Sequence, residues 1–196
     1  IVPVPGRDIF VQAWYQGGIS VIDFTDSANP VEIAYFDRGP IDAESLILGG
    51  FWSAYWYDGK IYATEIIRGL DVLSLVPSEY LTENEIAAAV VADQSALFNP
   101  QQQFRIDWPA TPIVAQAYID QFQRDGELAT SFIDDLNMAM EDALIELQDG
   151  GPDEELAIRL ESLAAGLKTE NLATSVVRTR MGALAETLSG IAARLR

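Results

Sequence analysis

A stretch of this chain matches itself, and that repeat restricts its fold more than any other feature. Gly18-Ile19-Ser20-Val21-Ile22-Asp23-Phe24 lines up with Gly69-Leu70-Asp71-Val72-Leu73-Ser74-Leu75 at an offset of 51 residues, and Ile9-Phe10-Val11 lines up with Ile61-Tyr62-Ala63 at 52, which implies a one-residue deletion at the turn. Alternation with period two points to strands whose successive side chains face opposite ways. Repeats of this length are typical of propeller blades and related β arrays. Fewer than two full units are present, whereas closed propellers use about four to eight blades. The β part therefore cannot close alone, and its border strands need cover, because bare edges invite further pairing.

Two hairpins are legible within the repeat. Ile9–Gln16 and Ile19–Phe24 are joined by Gly17-Gly18, which can take the positive φ of a primed turn. Phe51–Tyr57 and Lys60–Ile66 flank Asp58-Gly59, so the expected pairs run from Tyr57/Lys60 through Trp56/Ile61 and Tyr55/Tyr62 to Trp52/Glu65. That register puts Trp52, Trp56, Ile61 and Glu65 on one face and Tyr55 and Tyr62 on the other. The first unit ends in Asp26-Ser27-Ala28-Asn29-Pro30 and continues into a strand, Val31–Phe36, whereas the second ends in Pro77-Ser78.

The run Gly18-Ile19-Ser20-Val21-Ile22-Asp23-Phe24-Thr25-Asp26-Ser27-Ala28-Asn29-Pro30-Val31 resembles the LVIVD repeat of bacterial secreted proteins. The resemblance covers roughly residues 8–80 and rests most on the Asp-x-x-x-Asn-Pro tail. It implies a β-propeller-like fold and an extracytoplasmic location, secreted, periplasmic or at the cell surface, more than it implies an activity. The second copy departs from the pattern where Leu75-Val76-Pro77-Ser78 runs towards a helix, so it reads as a terminal copy.

Beyond Pro77 the pattern turns helical. Thr82-Glu83-Asn84-Glu85 matches a capping box opening a short helix to about Ala92. Leu97–Trp108 reads as an extended linker. Thr111 with Pro112 opens the next helix, which ends near Gly126. A further helix runs from about Glu127 to Gln148 with Phe132, Leu136, Met140, Leu144 and Leu147 on one face, and Gly150-Gly151 stops it. Pro152 restarts a helix bearing Leu156, Leu160, Leu163 and Leu167, and Leu172, Val176, Leu184, Leu188, Ile191 and Leu195 populate the last. The expected fold is α+β: antiparallel β-propeller-like repeats, about two incomplete blades, over residues 1–77; a short helix and linker over 78–110; and an antiparallel helical bundle over 111–196.

Function classes are narrowed mainly by what is missing. The sequence has no cysteine and no histidine, which removes disulfides, thiolate and imidazole catalysis and Cys/His metal sites. A net charge of −18 argues against nucleic acid as a partner. Thirty Asp+Glu leave a carboxylate-pair hydrolase or an oxygen-ligated cation site as formal options. Asp23, Asp26 and Asn29 have suitable spacing for a cation but too few oxygens, and Asx-turn bonding accounts for them. The acidic pairs Asp134-Asp135, Glu141-Asp142 and Asp153-Glu154-Glu155 read as solvated helix faces and a helix start. Arg178, Arg180, Arg194 and Arg196, gathered in the last helix, read as partners of those acidic faces, with acidic lipid headgroups as the alternative.

One ligand-binding centre suggests itself at Trp52, Trp56 and Glu65, with Trp14-Tyr15 adding to the aromatic cluster. Blade-to-blade packing is the simpler use of these rings. Glu65, in an apolar strand, needs a partner if buried, and Arg68 or Arg38 would serve. Catalytic residues, metal and cofactor are expected to be none. The chain begins at Ile1 without methionine, which reads as a processed product or fragment. The expectation is a non-catalytic scaffold bound to a protein partner or to upstream blades of the same protein. Carbohydrate or cation binding on a propeller face, an accessory role in a membrane-associated complex, and oligomerisation are the alternatives.

Overall fold

The computed structural model describes residues 1–94, 105–168 and 174–196. The chain is α+β and divides into two compact units, Ile1–Asp107 and Trp108–Arg196. Of the segment 97–108 expected as a linker, residues 97–104 lie outside the described residues, as does Leu172.

In the first unit β1 (Ile9–Ala13), β2 (Ile19–Asp23) and β3 (Val31–Phe36) form one antiparallel sheet in that order, and β4 (Phe51–Tyr57), β5 (Lys60–Glu65) and β6 (Gly69–Leu73) form a second. Among the described residues these are two separate three-stranded sheets, with no closed ring or barrel. Asp58 and Gly59 both take positive φ, 46° and 76°, as a type I′ turn requires. The pairs from Tyr57↔Lys60 to Ser53↔Thr64 follow from it.

Two local expectations are corrected. A bulge between Phe51 and Ser53 places Phe51, not Trp52, opposite Glu65; the extra residue turns Trp52 to the other side. The first hairpin does not turn on Gly17-Gly18: the strands stop at Ala13 and resume at Ile19, the positive φ belongs to Gln16 at 57°, and Trp14 N–H donates to Gly18 O at 3.0 Å. Gly18 is needed for a different reason, since a Cβ there would fall 1.8 Å from the carbonyl oxygen of Phe36.

The register also corrects the repeat itself. Phe10↔Ile22, Val11↔Val21 and Ala13↔Ile19 in the first sheet become Ile61↔Leu73, Tyr62↔Val72 and Thr64↔Leu70 in the second, a uniform shift of 51 residues with no deletion. Val11 thus corresponds to Tyr62, not Ala63. Matching Ile9 to Ile61 by side-chain type slipped the alignment by one position, and a one-residue slip in a strand exchanges its faces.

The corrected register explains how the sheets meet. The face of the first sheet carrying Val11, Ile19 and Val21 packs on the face of the second carrying Trp56, Ile61 and Ala63. Phe36 meets Phe51 edge-on across the join, with ring centroids 6.3 Å apart. The corresponding face of the second sheet, carrying Tyr62, Leu70 and Val72, is exposed. The equivalent of β3 would fall at residues 82–87, but that stretch begins α1 (Glu83–Val90), because the Thr82/Glu85 capping box is formed in full. Val2 and Val4 are fully buried beside Ile9, Leu81 and Ala89, so the N-terminal segment and α1 complete this core.

The second unit holds α2 (Pro112–Asp125), α3 (Thr130–Asp149), α4 (Glu154–Leu167) and α5 (Ser175–Arg194), each packed on two of the others in the cyclic order α2, α3, α4, α5. Gly126 and Gly150 end α2 and α3 in the left-handed conformation. Asp153 caps α4 through Leu156 N–H. Thr111 lies at the start of α2 without a side-chain capping bond. The α3 stripe differs from the expected one: Ile133, Leu136, Ala139, Met140 and Ala143 are buried while Leu144 is exposed. In α5, Val177 and Met181 replace the exposed Val176 on the buried side. Small residues, which hydrophobic periodicity underweights, carry part of both contacts.

Candidate functional site

The three residues singled out from the sequence do not converge. Trp52 stands at the β4 bulge, 55% exposed, and meets the ring of Tyr15 edge-on at 5.0 Å between centroids. Trp56 is in the core, and its Nε1 is buried without a hydrogen-bond partner among the described residues. Glu65 points to the same inner face as Trp56 and is 4% exposed.

Glu65 is satisfied by backbone, not by an arginine side chain. Gly50 N–H donates to Oε1 at 3.0 Å, Ile67 N–H donates to Oε2 at 2.8 Å, and Arg68 N–H donates to Oε2 as well. Burial pushes its acidity down, but the amides of Arg68, Ile67 and Gly50, with the nearby Arg68 charge, overcome this and hold the carboxyl below the usual range. The carboxylate therefore clamps the β5–β6 turn to the start of β4. Held ionised and already accepting three amide N–H bonds, it is placed as a structural acceptor and not as a general acid.

Of the two arginines expected beside Glu65, Arg68 acts on it through its backbone N–H and its charge, and Arg38 is engaged elsewhere. Arg38 pairs with Asp71 and lies over the rings of Phe36 and Phe51, 5.6 and 6.0 Å from their centroids. Arg68 donates to Pro40 O at 3.2 Å. Arg38, Pro40, Phe51 and Arg68 line, with Gln16, Ile41 and Glu65, a cavity of about 170 Å³.

Asp26 makes the Asx turn read from the sequence, accepting from Asn29 Nδ2 at 2.8 Å and Ala28 N–H at 3.1 Å. Asp23 goes to Arg7 instead, at 2.6 Å, and to Thr25. Among the described residues no group of three or more acidic side chains is arranged to hold a metal ion.

Sequence reasoning missed Arg7. Its side chain is 5% exposed and binds Asp23, Glu85 at 2.8 Å and the carbonyl of Tyr80 at 2.8 Å, joining β2 to the start of α1. A lone arginine just after the apolar Val2–Pro5 segment was the available signal. In the second unit Arg180 pairs with Asp125 at 2.8 Å and Glu127 at 3.3 Å, and lies over Phe122. Arg196 pairs with Glu154 and Glu161, and Arg194 donates to Ala110 O. These arginines serve the bundle internally. Burial lifts Tyr118 beside them to about 12.

Among the described residues, one uncovered apolar surface is the outward face of the second sheet. Tyr55, Tyr62, Leu70 and Val72 are 40, 37, 63 and 53% exposed and adjoin across β4, β5 and β6. Ser53 and Thr64 bond to each other on the same side, leaving Lys60 as the charged group among its strand residues. No family model, curated protein or solved structure matches the chain. Among the described residues no helix is long and apolar enough to cross a membrane.

Proposed function

We propose that this protein is a non-catalytic binding or scaffold module of the LVIVD-repeat kind, working outside the cytoplasm, whose second sheet docks by its outward face onto a further protein surface. One observation carries the reading. The face bearing Tyr62, Leu70 and Val72 corresponds, residue for residue, to the face bearing Val11, Ile19 and Val21, which the first sheet buries against its neighbour. Contiguous apolar surface of this kind marks interaction sites, and its uncharged rings and aliphatics match the composition of interface cores. The propeller-like character of the repeat belongs to the same proposal. Enzymatic readings lose support from the three backbone N–H bonds that engage Glu65.

The test immobilises the full chain and screens it against peptide and glycan arrays alongside three variants. Ligands lost in a Leu70→Asp/Val72→Asp variant but kept in Glu65→Gln and Trp52→Ala support docking on the outward face. Glycan ligands lost only with Trp52→Ala would replace this reading with carbohydrate binding at the Trp52–Tyr15 pair.

A further inference from the structure

The stacking of the two sheets has a direction. The first sheet offers its Val11/Ile19/Val21 face and the second receives it on its Trp56/Ile61/Ala63 face. Carried forward by the same 51-residue relation, the second sheet offers its Tyr62/Leu70/Val72 face, and carried backward, the first sheet receives on its opposite side. That opposite side bears Phe10, Trp14, Ile22 and Tyr35. Trp14 Nε1 donates to Ser20 Oγ at 2.9 Å, laying the indole over the strands. Tyr35 is 77% exposed and Trp14 49%. Between them runs a groove of about 240 Å³ that also contains Glu32.

The two free faces also differ in charge. The offering face carries Lys60, whose Nζ donates to Ser74 Oγ at 2.8 Å, on the same side of β5 as Tyr62. The receiving face carries Glu32, exposed, accepting from Ser20 Oγ at 2.5 Å. In a chain of net charge −18, an uncharged apolar patch edged by a lysine, with an acid on its counterpart, brings copies together where their mutual repulsion is least.

From this we infer that the occupant of the outward face is a second copy of this chain, seated head to tail: the Tyr62/Leu70/Val72 face of one copy lies on the Trp14/Tyr35 face of the next, with Lys60 towards Glu32. The inference rests on the proposed docking role of the outward face. Contacts between unlike patches leave one of each free at the ends, so they either close into a ring or continue as a filament.

Sedimentation velocity on the full chain tests it with two exposed-site variants, Leu70→Asp/Val72→Asp on the offering face and Tyr35→Asp on the receiving face, each checked for native circular dichroism. The native chain should form dimers and larger species as its concentration rises into the hundred-micromolar range, a weak but specific association. Each variant alone should remain monomeric, because each lacks one of the two unlike patches. Mixed one to one, they should form a single 1:1 dimer through the intact outward face of the Tyr35 variant and the intact groove of the other. A native chain that stays monomeric throughout overturns the inference. So does a Tyr35 variant that associates as well as the native chain, since that means like faces pair. If the native chain stays monomeric yet binds array peptides through Leu70 and Val72, only the second-copy assignment falls.

Discussion

Arg7 and Glu85 form an ion pair of 2.8 Å in which both side chains are almost wholly withdrawn from solvent, at 5% and 0% exposure. Because Arg7 also holds Asp23 and the Tyr80 carbonyl, a single guanidinium ties β2 and the N-terminal segment to the capping box of α1. Glu85 in turn accepts from Thr82 N–H at 2.8 Å, so the pair fixes the helix in the place the repeat would give to a strand.

Removing both partners should therefore cost less than the two single losses added together. Arg7→Ala leaves the buried Glu85 carboxylate uncompensated and should lower the unfolding free energy by about 3–5 kcal/mol, whereas Glu85→Gln leaves Arg7 still paired with Asp23 and should cost less. Urea unfolding of the native protein, Arg7→Met, Glu85→Leu and their combination closes one cycle, in which the double variant should lose less than its two single losses added together.

Trp52 and Trp56, four residues apart on one strand, should respond very differently to truncation. Trp56→Ala opens a cavity in the shared core and should cost about 3–5 kcal/mol. Trp52→Ala removes an exposed ring and a single edge contact, with an expected cost of about 1 kcal/mol or less. Equal costs in chemical denaturation would mean that the β4 bulge does not turn Trp52 outward.

Acid should weaken the first unit through Asp23 and Glu65. Burial pushes both carboxyls up, but the Thr25 hydrogen bonds and the Arg7 charge for Asp23, and the three amides for Glu65, leave both below their ordinary values. As pH falls the unfolded chain takes up these protons first, so the stabilisation is whole above about pH 4, where unfolded carboxyls titrate, and fades as pH drops through the depressed native values. Glu65→Gln should be less stable at neutral pH, because its amide NH₂ must face an N–H donor, and its stability should fall less steeply on acidification. Denaturant midpoints measured across that range check both signs.

Gly18→Ala should be among the most damaging single substitutions in the first sheet. The new methyl would occupy the space of Phe36 O, so β3 must separate from the β1–β2 hairpin. A loss above about 4 kcal/mol is expected, of the size reserved for forced backbone displacement. Gly59→Ala, where the difficulty is a φ of 76° and a 3.2 Å approach to Val90, should cost only about 1 kcal/mol.

The Asp58-Gly59 hairpin, the Thr82 capping box and the leucine positions of α4 were legible in the sequence because each depends on local chemistry within a few residues. Features that depend on distant residues or on the backbone were not. The β4 bulge cannot be seen from alternation alone, and it moved Trp52 away from Glu65. The repeat offset misled because Ile9 resembles Ile61 more than it resembles Lys60, although strand pairing matches Phe10 with Ile61. Exchange of covered for exposed faces between the two units let Val11 become Tyr62. Arg7 was overlooked because its partners Asp23 and Glu85 are 16 and 78 residues away. The clamp on Glu65 was anticipated as a need for a partner, but backbone donors leave no residue-type signature.

Hydroxyl-radical footprinting of the native chain at low and high concentration tests most directly whether the repeat's unmatched faces are contact surfaces. Modification of Tyr62 on the outward face and of Tyr35 on the receiving face should fall together as concentration rises, while that of Trp52 at the bulge stays level. Modification of Tyr62 and Tyr35 that does not change with concentration, or protection of only one of them, would contradict the account.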